Sequence, residues 1–384
     1  MNTNQKTKAV LITEIISPYR IPVFNEIAKS DQVEFKVFFL AETVRGRPWR
    51  VEKEKISFRY QVVPGIGIWL PDRFPIFFNP PIRWLLEKEN PDLVIGCGYH
   101  HPTCLLALRY ARSHGKRFIL WSESHRDSIR LRSFPFKQYR SNFIHSSDGF
   151  VVPGRKSFNF IQSFGIDGKK MWTAPNAVAN DFFSRNADTF RSQRQTLKSK
   201  RNFPSKIILY VGRLVDSKGI PVLLEAFQSV SKSLEAGLIL VGEGKDQKKY
   251  LNFCRRHGLR NVFFEGFKQQ DELPFYYGLA DVFVLPSLRE EWGLVLNEAA
   301  ASGLPLIATD ASGAAFDLIE EAKNGYRVRT GDSEALREKI LAILKNPELQ
   351  DSMGRRSREM IEAFSPQRCA AVFLQAILNK DAGC

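Results

Sequence analysis

Residues 211–219 read VGRLVDSKG, an apolar strand that runs into a loop bearing Arg213 and Lys218 and then into the start of a helix. A helix N-terminus offers unpaired backbone N–H groups and the positive end of the helix dipole, so two side-chain cations beside it make a field suited to a diphosphate. Taken alone, the window also allows a plainer reading, in which both are ordinary surface cations. Residues 286–309, PSLREEWGLVLNEAAASGLPLIAT, add two carboxylates around a glycine turn. Glu290 lies in a loop after a strand, Gly293 marks a close backbone approach, and Glu298 lies inside the next helix. Backbone N–H groups of Leu294 and Val295 open that helix and can point at phosphate oxygens. Carboxylates accept hydrogen bonds from vicinal hydroxyls such as those of a ribose or a hexose. The plainer alternative makes Glu290 and Glu291 solvated loop acids and Glu298 a surface residue.

Working outward from these windows, short apolar runs recur along the whole chain. In the first half they fall at 9–13, 33–40, 58–63, 93–95, 117–121 and 149–152, and in the second at 207–211, 238–241, 262–264, 282–285 and 306–308. Runs apolar on both faces, separated by helical segments, predict buried parallel sheets. The helices expected at 22–30, 81–90 and 102–113 each open on a proline, which suits a first-turn position. The reading is therefore α/β, with two doubly wound Rossmann-like domains facing across a cleft. The first spans residues 1–183, a polar connector occupies 184–206, and the second spans 207–363. A C-terminal helix at 364–384 is placed to pack back on the first domain.

A chain of 384 residues is long for a single core, in keeping with two domains. The formal net charge of +15 is uneven: residues 1–180 carry 27 Lys and Arg against 15 Asp and Glu, leaving little excess in the second half. A basic half suggests a polyanion, an anionic membrane surface or an acidic substrate, or simply a solvated basic surface. Five widely spaced cysteines without metal-ligand spacing read as reduced thiols. The polar N-terminus leads straight into a strand and shows no signal peptide. The expected location is cytoplasmic, at the inner face of a membrane.

Together with VGEGK (241–245), FFEGFKQQDELPFYYGLADVFVLPS (263–287) and NGYRV (324–328), the two opening windows resemble family 4 of the retaining glycosyltransferases, whose fold is called GT-B. Glu290 and Glu298 match that family's motif of two glutamates separated by seven residues. The resemblance implies that Arg213 and Lys218 bind the diphosphate of a nucleotide sugar, of UDP or GDP type. By the same resemblance, Glu298 takes the ribose hydroxyls, Glu290 holds the transferred sugar, Gly293 with Leu294 and Val295 meets phosphate, and Gly266 and Phe267 face the nucleobase. It implies no cofactor and no metal.

The first half is similar to a subgroup acting in polysaccharide or glycolipid assembly, through SPYRIPVFNEIA (17–28), PDLVIGCGYHHPT (91–103) and ILWSESHRD (119–127). Many members have a glycine-rich loop after the first strand, where this chain has Ile16–Arg20, so Tyr19 or Arg20 is the candidate for its phosphate contact. The plainer alternative is that Tyr19 simply packs. Where many members have a histidine after the fifth strand, this chain has Glu123, a candidate for an acceptor-side base. His100 and His101 also end a strand, a position more often structural. The segments 66–84 and 126–143 interleave aromatics with arginines and are placed to meet a glycan or lipid-linked acceptor or an anionic leaflet. Three other classes compete. A dinucleotide oxidoreductase is suggested by GCGYHH (96–101), although the third glycine is missing; an epimerase or phosphorylase would share the architecture; and a non-catalytic sugar-nucleotide-binding subunit would keep the site. No zinc finger, RNP or basic-helix pattern points to nucleic acid.

Overall fold

The computed structural model describes residues 6–44, 48–68, 75–129, 131 and 133–379. The apolar runs of the first half become strands β1 (Thr7–Ile15), β2 (Val33–Ala41) and β3 (Arg59–Val62), a short hairpin of β4 (Ile66–Ile68) and β5 (Ile76–Phe78), then β6 (Leu93–Cys97), β7 (Arg117–Trp121), β8 (Gly149–Val152) and β9 (Met171–Thr173). Helices α1 (Ile21–Ala28), α2 (Ile82–Glu89), α3 (Pro102–Ser113), α4 (Phe134–His145) and α5 (Arg155–Gln162) connect them. Among the described residues, seven of these strands form a sheet in the order β3-β2-β1-β6-β7-β8-β9, every pair parallel. Val10, Ile12, Val94, Phe118, Leu120 and Phe150 pack in its core, covered by helices as a parallel sheet requires.

After Asn176 the chain enters a second unit that runs to Ser365. Its helices are α6 (Asn180–Arg191), α7 (Arg194–Lys200), α8 (Ile220–Val230), α9 (Gln247–Arg256), α10 (Leu273–Leu279), α11 (Leu294–Ala301), α12 (Ala315–Leu318), α13 (Ser333–Leu344) and α14 (Pro347–Ile361). Its strands β10 (Lys206–Val211), β11 (Ala236–Val241), β12 (Val262–Gly266), β13 (Val282–Leu285), β14 (Leu306–Thr309) and β15 (Gly325–Val328) lie in the order β12-β11-β10-β13-β14-β15, again parallel. From Pro366 the chain rejoins the first unit as α15 (Pro366–Leu378). Phe373 of that helix stands edge-on to Trp121, and Arg117 donates to the carbonyls of Ala376 and Ile377 at 3.0 Å each.

The polar stretch 184–206 is largely helical, carrying the end of α6 and all of α7, and it lies within the second unit. Phe183 and Ala187, four residues apart on one face of α6, are fully buried, with the Phe183 ring edge-on to Tyr277 of α10. Lys198 of α7 is buried too, because its ammonium meets the fully buried carboxylate of Asp281 at 2.8 Å. Asp281 also accepts from Arg194 at 2.7 Å, from the Ile207 amide at 2.7 Å and from Gln350 at 3.0 Å. Burial pushes this carboxyl up, but the Lys198 and Arg194 charges and the donors outweigh it, holding it below the usual aspartate range. The stability it contributes is therefore present at neutral pH and is lost as pH falls through that lowered value.

Removing one member of a buried charge cluster leaves the others uncompensated, at a cost of about 3–5 kcal/mol. Asp281→Ala should therefore lower the unfolding temperature steeply in a calorimetric scan. Glu334→Ala, which removes an exposed i,i+3 partner of Arg337, should leave it nearly unchanged.

Candidate functional site

In an open parallel sheet the strand order reverses between two neighbours, and ligands bind beyond the carboxyl ends of that pair. In the second unit the pair is β10 and β13, so the loops that follow them, 212–219 and 286–293, meet at this point. The meeting is close. Gly219 has a left-handed backbone with φ of 71°, and a Cβ there would lie 1.8 Å from the Pro286 carbonyl oxygen. The carbonyl of Ser217 accepts from the amides of Leu288 and Arg289 at 2.9 and 3.1 Å. Two segments some seventy residues apart are thus fixed backbone to backbone.

This lock brings the candidate side chains together. Lys218 ends a short 3-10 turn and forms an ion pair with Glu290, both side chains largely buried. Ser287 donates to the same carboxylate at 3.3 Å. Arg213 is exposed, and its carbonyl accepts from the buried Tyr210 hydroxyl at 2.9 Å. Glu290 is therefore no freely solvated loop acid.

Gly293, with φ of 100°, caps α11, whose first two residues are Leu294 and Val295. Helix geometry leaves the amides of a first turn without partners in their own helix. Glu298, one turn further in, is fully buried and accepts from the Tyr277 hydroxyl at 2.6 Å, which removes the reading of it as a surface residue. At the far side of β11, Gly266 ends β12 with φ of 71°; its carbonyl accepts from the Gly242 amide at 2.8 Å. The Phe267 amide faces Glu243 Oε1 at 3.5 Å. Arg213, Lys218, Glu290, Gly293 and Gly266 thus lie along one edge of one sheet. The partners Tyr277, Ser287 and Glu243 were not singled out from sequence, although all three fall inside the quoted motifs.

In the first unit, Arg20 follows β1 and Glu123 follows β7. The two form an ion pair; the same guanidinium donates to Asn176 Oδ1 at 2.7 Å and lies 4.4 Å from the centre of the Trp121 ring. A phosphate contact by Arg20 would have to compete with Glu123. Tyr19 stands edge-on to Trp49, ring centres 5.8 Å apart.

Two parallel-sheet Rossmann-like units of this kind define the GT-B fold of glycosyltransferases. The structure of Anabaena Alr3699/HepE in complex with UDP superposes with a TM-score of 0.75 over 97% of this chain and 99% of that one, at 16% identity. Residues 193–360 match the family described as Glycosyl transferases group 1. It is 26% identical to N-acetyl-alpha-D-glucosaminyl L-malate synthase of Bacillus anthracis over 335 residues, covering 85% of this chain and 86% of the relative. It is 32% identical to the capsular polysaccharide biosynthesis glycosyltransferase CapM of Staphylococcus aureus over 42% of this chain and 43% of CapM. The chain spans less than half the length of several of the curated relatives it matches.

Replacing Gly219 by Ala should strike both fold and site. The left-handed backbone alone costs a non-glycine residue about 1–3 kcal/mol, and the added Cβ would lie 1.8 Å from the Pro286 carbonyl oxygen, a backbone atom that would have to shift. Gly331→Ala is the control, since Gly331 has φ of 84° but an open surrounding. Gly219→Ala should lower the unfolding temperature clearly further than Gly331→Ala.

Proposed function

We propose that this protein is a retaining glycosyltransferase of family 4. It moves a sugar from a nucleotide-diphosphate sugar, of UDP or GDP type, to a glycan or lipid-linked acceptor in the assembly of cell-surface polysaccharide or glycolipid. The observation that carries the reading is the convergence of Arg213, Lys218, Glu290 and the α11 N-terminus at the switch point of the second sheet, within the segment that matches group 1. The relatives named as transferases favour transfer over an epimerase or phosphorylase.

In this reading the diphosphate lies against Arg213, Lys218 and the first-turn amides of α11. Charge grows on it as the glycosidic bond breaks, and cations and amides already in place stabilise that charge most at the transition state. These groups supply the positive charge without a divalent ion. Glu290 stands where one carboxylate can hold Lys218 and receive hydroxyls of the transferred sugar. Glu298, held by Tyr277, takes the ribose hydroxyls, and the backbone at Gly266 and Phe267 faces the base. The acceptor attacks from the face that the diphosphate leaves, and a diphosphate oxygen takes its proton, which makes the reaction retaining. Glu123, paired with Arg20, serves the acceptor side.

The acceptor reading draws on the first unit's surface. Ile66 pairs with Phe78 and Ile68 with Ile76, so these side chains share one face of the β4–β5 hairpin, and Phe77 is buried on the other. Ile66, Ile68, Phe78 and, on α2, Trp84 are exposed, as are Phe134 and Phe136 on α4. Residues 69–74, 130 and 132 of the two aromatic segments lie outside the described residues. No helix among the described residues is long and apolar enough to cross a membrane. Apolar side chains on the strongly basic half suit an anionic leaflet, on the cytoplasmic side, as the place where the acceptor is met.

Thermal unfolding with UDP, GDP, ADP, TDP and CMP in turn tests the donor site. One diphosphate at about 100 times its dissociation constant should add roughly 2.7 kcal/mol of stability. Arg213→Ala and Glu298→Ala should lose that shift, and no shift with any nucleotide would sink the transferase reading. Flotation with vesicles of phosphatidylcholine and phosphatidylglycerol tests the surface. The wild type should float at low salt, the Ile66→Ser/Ile68→Ser double variant should float less, and a wild type that stays at the bottom removes the membrane.

A further inference from the structure

The first sheet has its own switch point, between β1 and β6. Glu14, near the carboxyl end of β1, lies there with His100 and His101, which follow β6. His100 Nε2 and His101 Nε2 lie 3.2 and 3.1 Å from the same oxygen, Glu14 Oε1, and the two imidazoles are 4.0 Å apart. The transfer chemistry described above uses none of the three.

Their arrangement has the residue types of a metal site, and the hydrogen bonds argue against one. The backbone N–H of Phe77 donates to His101 Nδ1 at 3.1 Å, so the ring proton of His101 sits on Nε2 and points at Glu14. A neutral imidazole protonated at Nε2 has no lone pair there for a metal. Burial, with His100 beside it, pushes His101 below its ordinary value and keeps it neutral. For Glu14, burial raises the pKa, but the hydrogen bonds from His100 and His101 outweigh it and hold the carboxyl well below the usual range. The result is a fixed anion, backed by a buried histidine and flanked by one whose side chain is 43% exposed.

A fixed carboxylate at a switch point selects its ligand. It repels phosphate, which is a physical reason against a dinucleotide at GCGYHH, and it accepts strongly from hydroxyls. We propose that Glu14 and His100 form a subsite for the hydroxyls of a neutral sugar on the acceptor, with His101 as the positioning residue that fixes Glu14. This rests on the transferase reading for the word acceptor, but the contact itself is read without nucleotide.

Saturation-transfer NMR of the full chain is the test, with methyl α-D-glucopyranoside, methyl α-D-galactopyranoside and methyl N-acetyl-α-D-glucosaminide as probes. At least one glycoside should show transfer with the wild type, lost in Glu14→Ala and reduced in His100→Ala. His101→Gln, whose amide can still donate to Glu14, should keep the signal, while His101→Phe, of similar size, should lose it. Any nucleotide shift found above should survive in all four variants, which separates this subsite from the donor site. A signal that persists in Glu14→Ala, or no signal from any glycoside with the wild type, overturns the proposal.

Discussion

The second unit depends on one steric constraint: the carbonyl of Pro286 occupies the space that a side chain at position 219 would need. Only glycine lets the loop after β10 approach the loop after β13 so closely, and only that approach allows Ser217 to receive two amides from the other loop. The ion pair of Lys218 with Glu290 follows from it. The site assembled this way is made of backbone first and side chains second, which in the proposed reaction leaves little to reorganise as charge develops.

The opposite kind of support appears behind the sheet. Asp281, with Lys198, Arg194 and Gln350, binds α7, α14 and the start of β10 into one unit through buried charge rather than apolar contact. Such clusters are a poor route to raw stability, since desolvation offsets much of the attraction, but they demand one arrangement of the elements they join. The carboxyl edge of the same sheet is the face left to ligands.

The division between what was legible and what was not follows locality. The strands and the motifs at 211–219 and 286–309 could be read because each carries its signal within a few residues: an apolar run, a glycine with left-handed backbone, cations at a helix start. The helices at 180–200 could not, because α7 is held by a lysine whose partner lies 83 residues away. The Arg20–Glu123 pair, 103 residues apart, and the Tyr277 hydroxyl on Glu298 are contacts of the same non-local kind. His100 and His101 looked like a structural pair, and only the neighbouring strand, which brings Glu14 to them, gives them a chemical setting. The GT-B class, in contrast, rested on motifs in order along the chain, which sequence preserves.

The return of α15 to the first unit bears on how the molecule is made. The second unit is a continuous stretch, 177–365, whereas the first is missing a packed helix until residues beyond 366 are available. Domains tend to fold as they leave the ribosome, N-terminal first. Here the order of completion is reversed: the unit begun first is finished last. Until α15 arrives, Trp121 lacks its contact with Phe373, and the guanidinium of Arg117 lacks its two carbonyls. The nascent first unit thus carries an open apolar seam through the whole synthesis of its neighbour, a vulnerable interval that a chaperone would be well placed to cover.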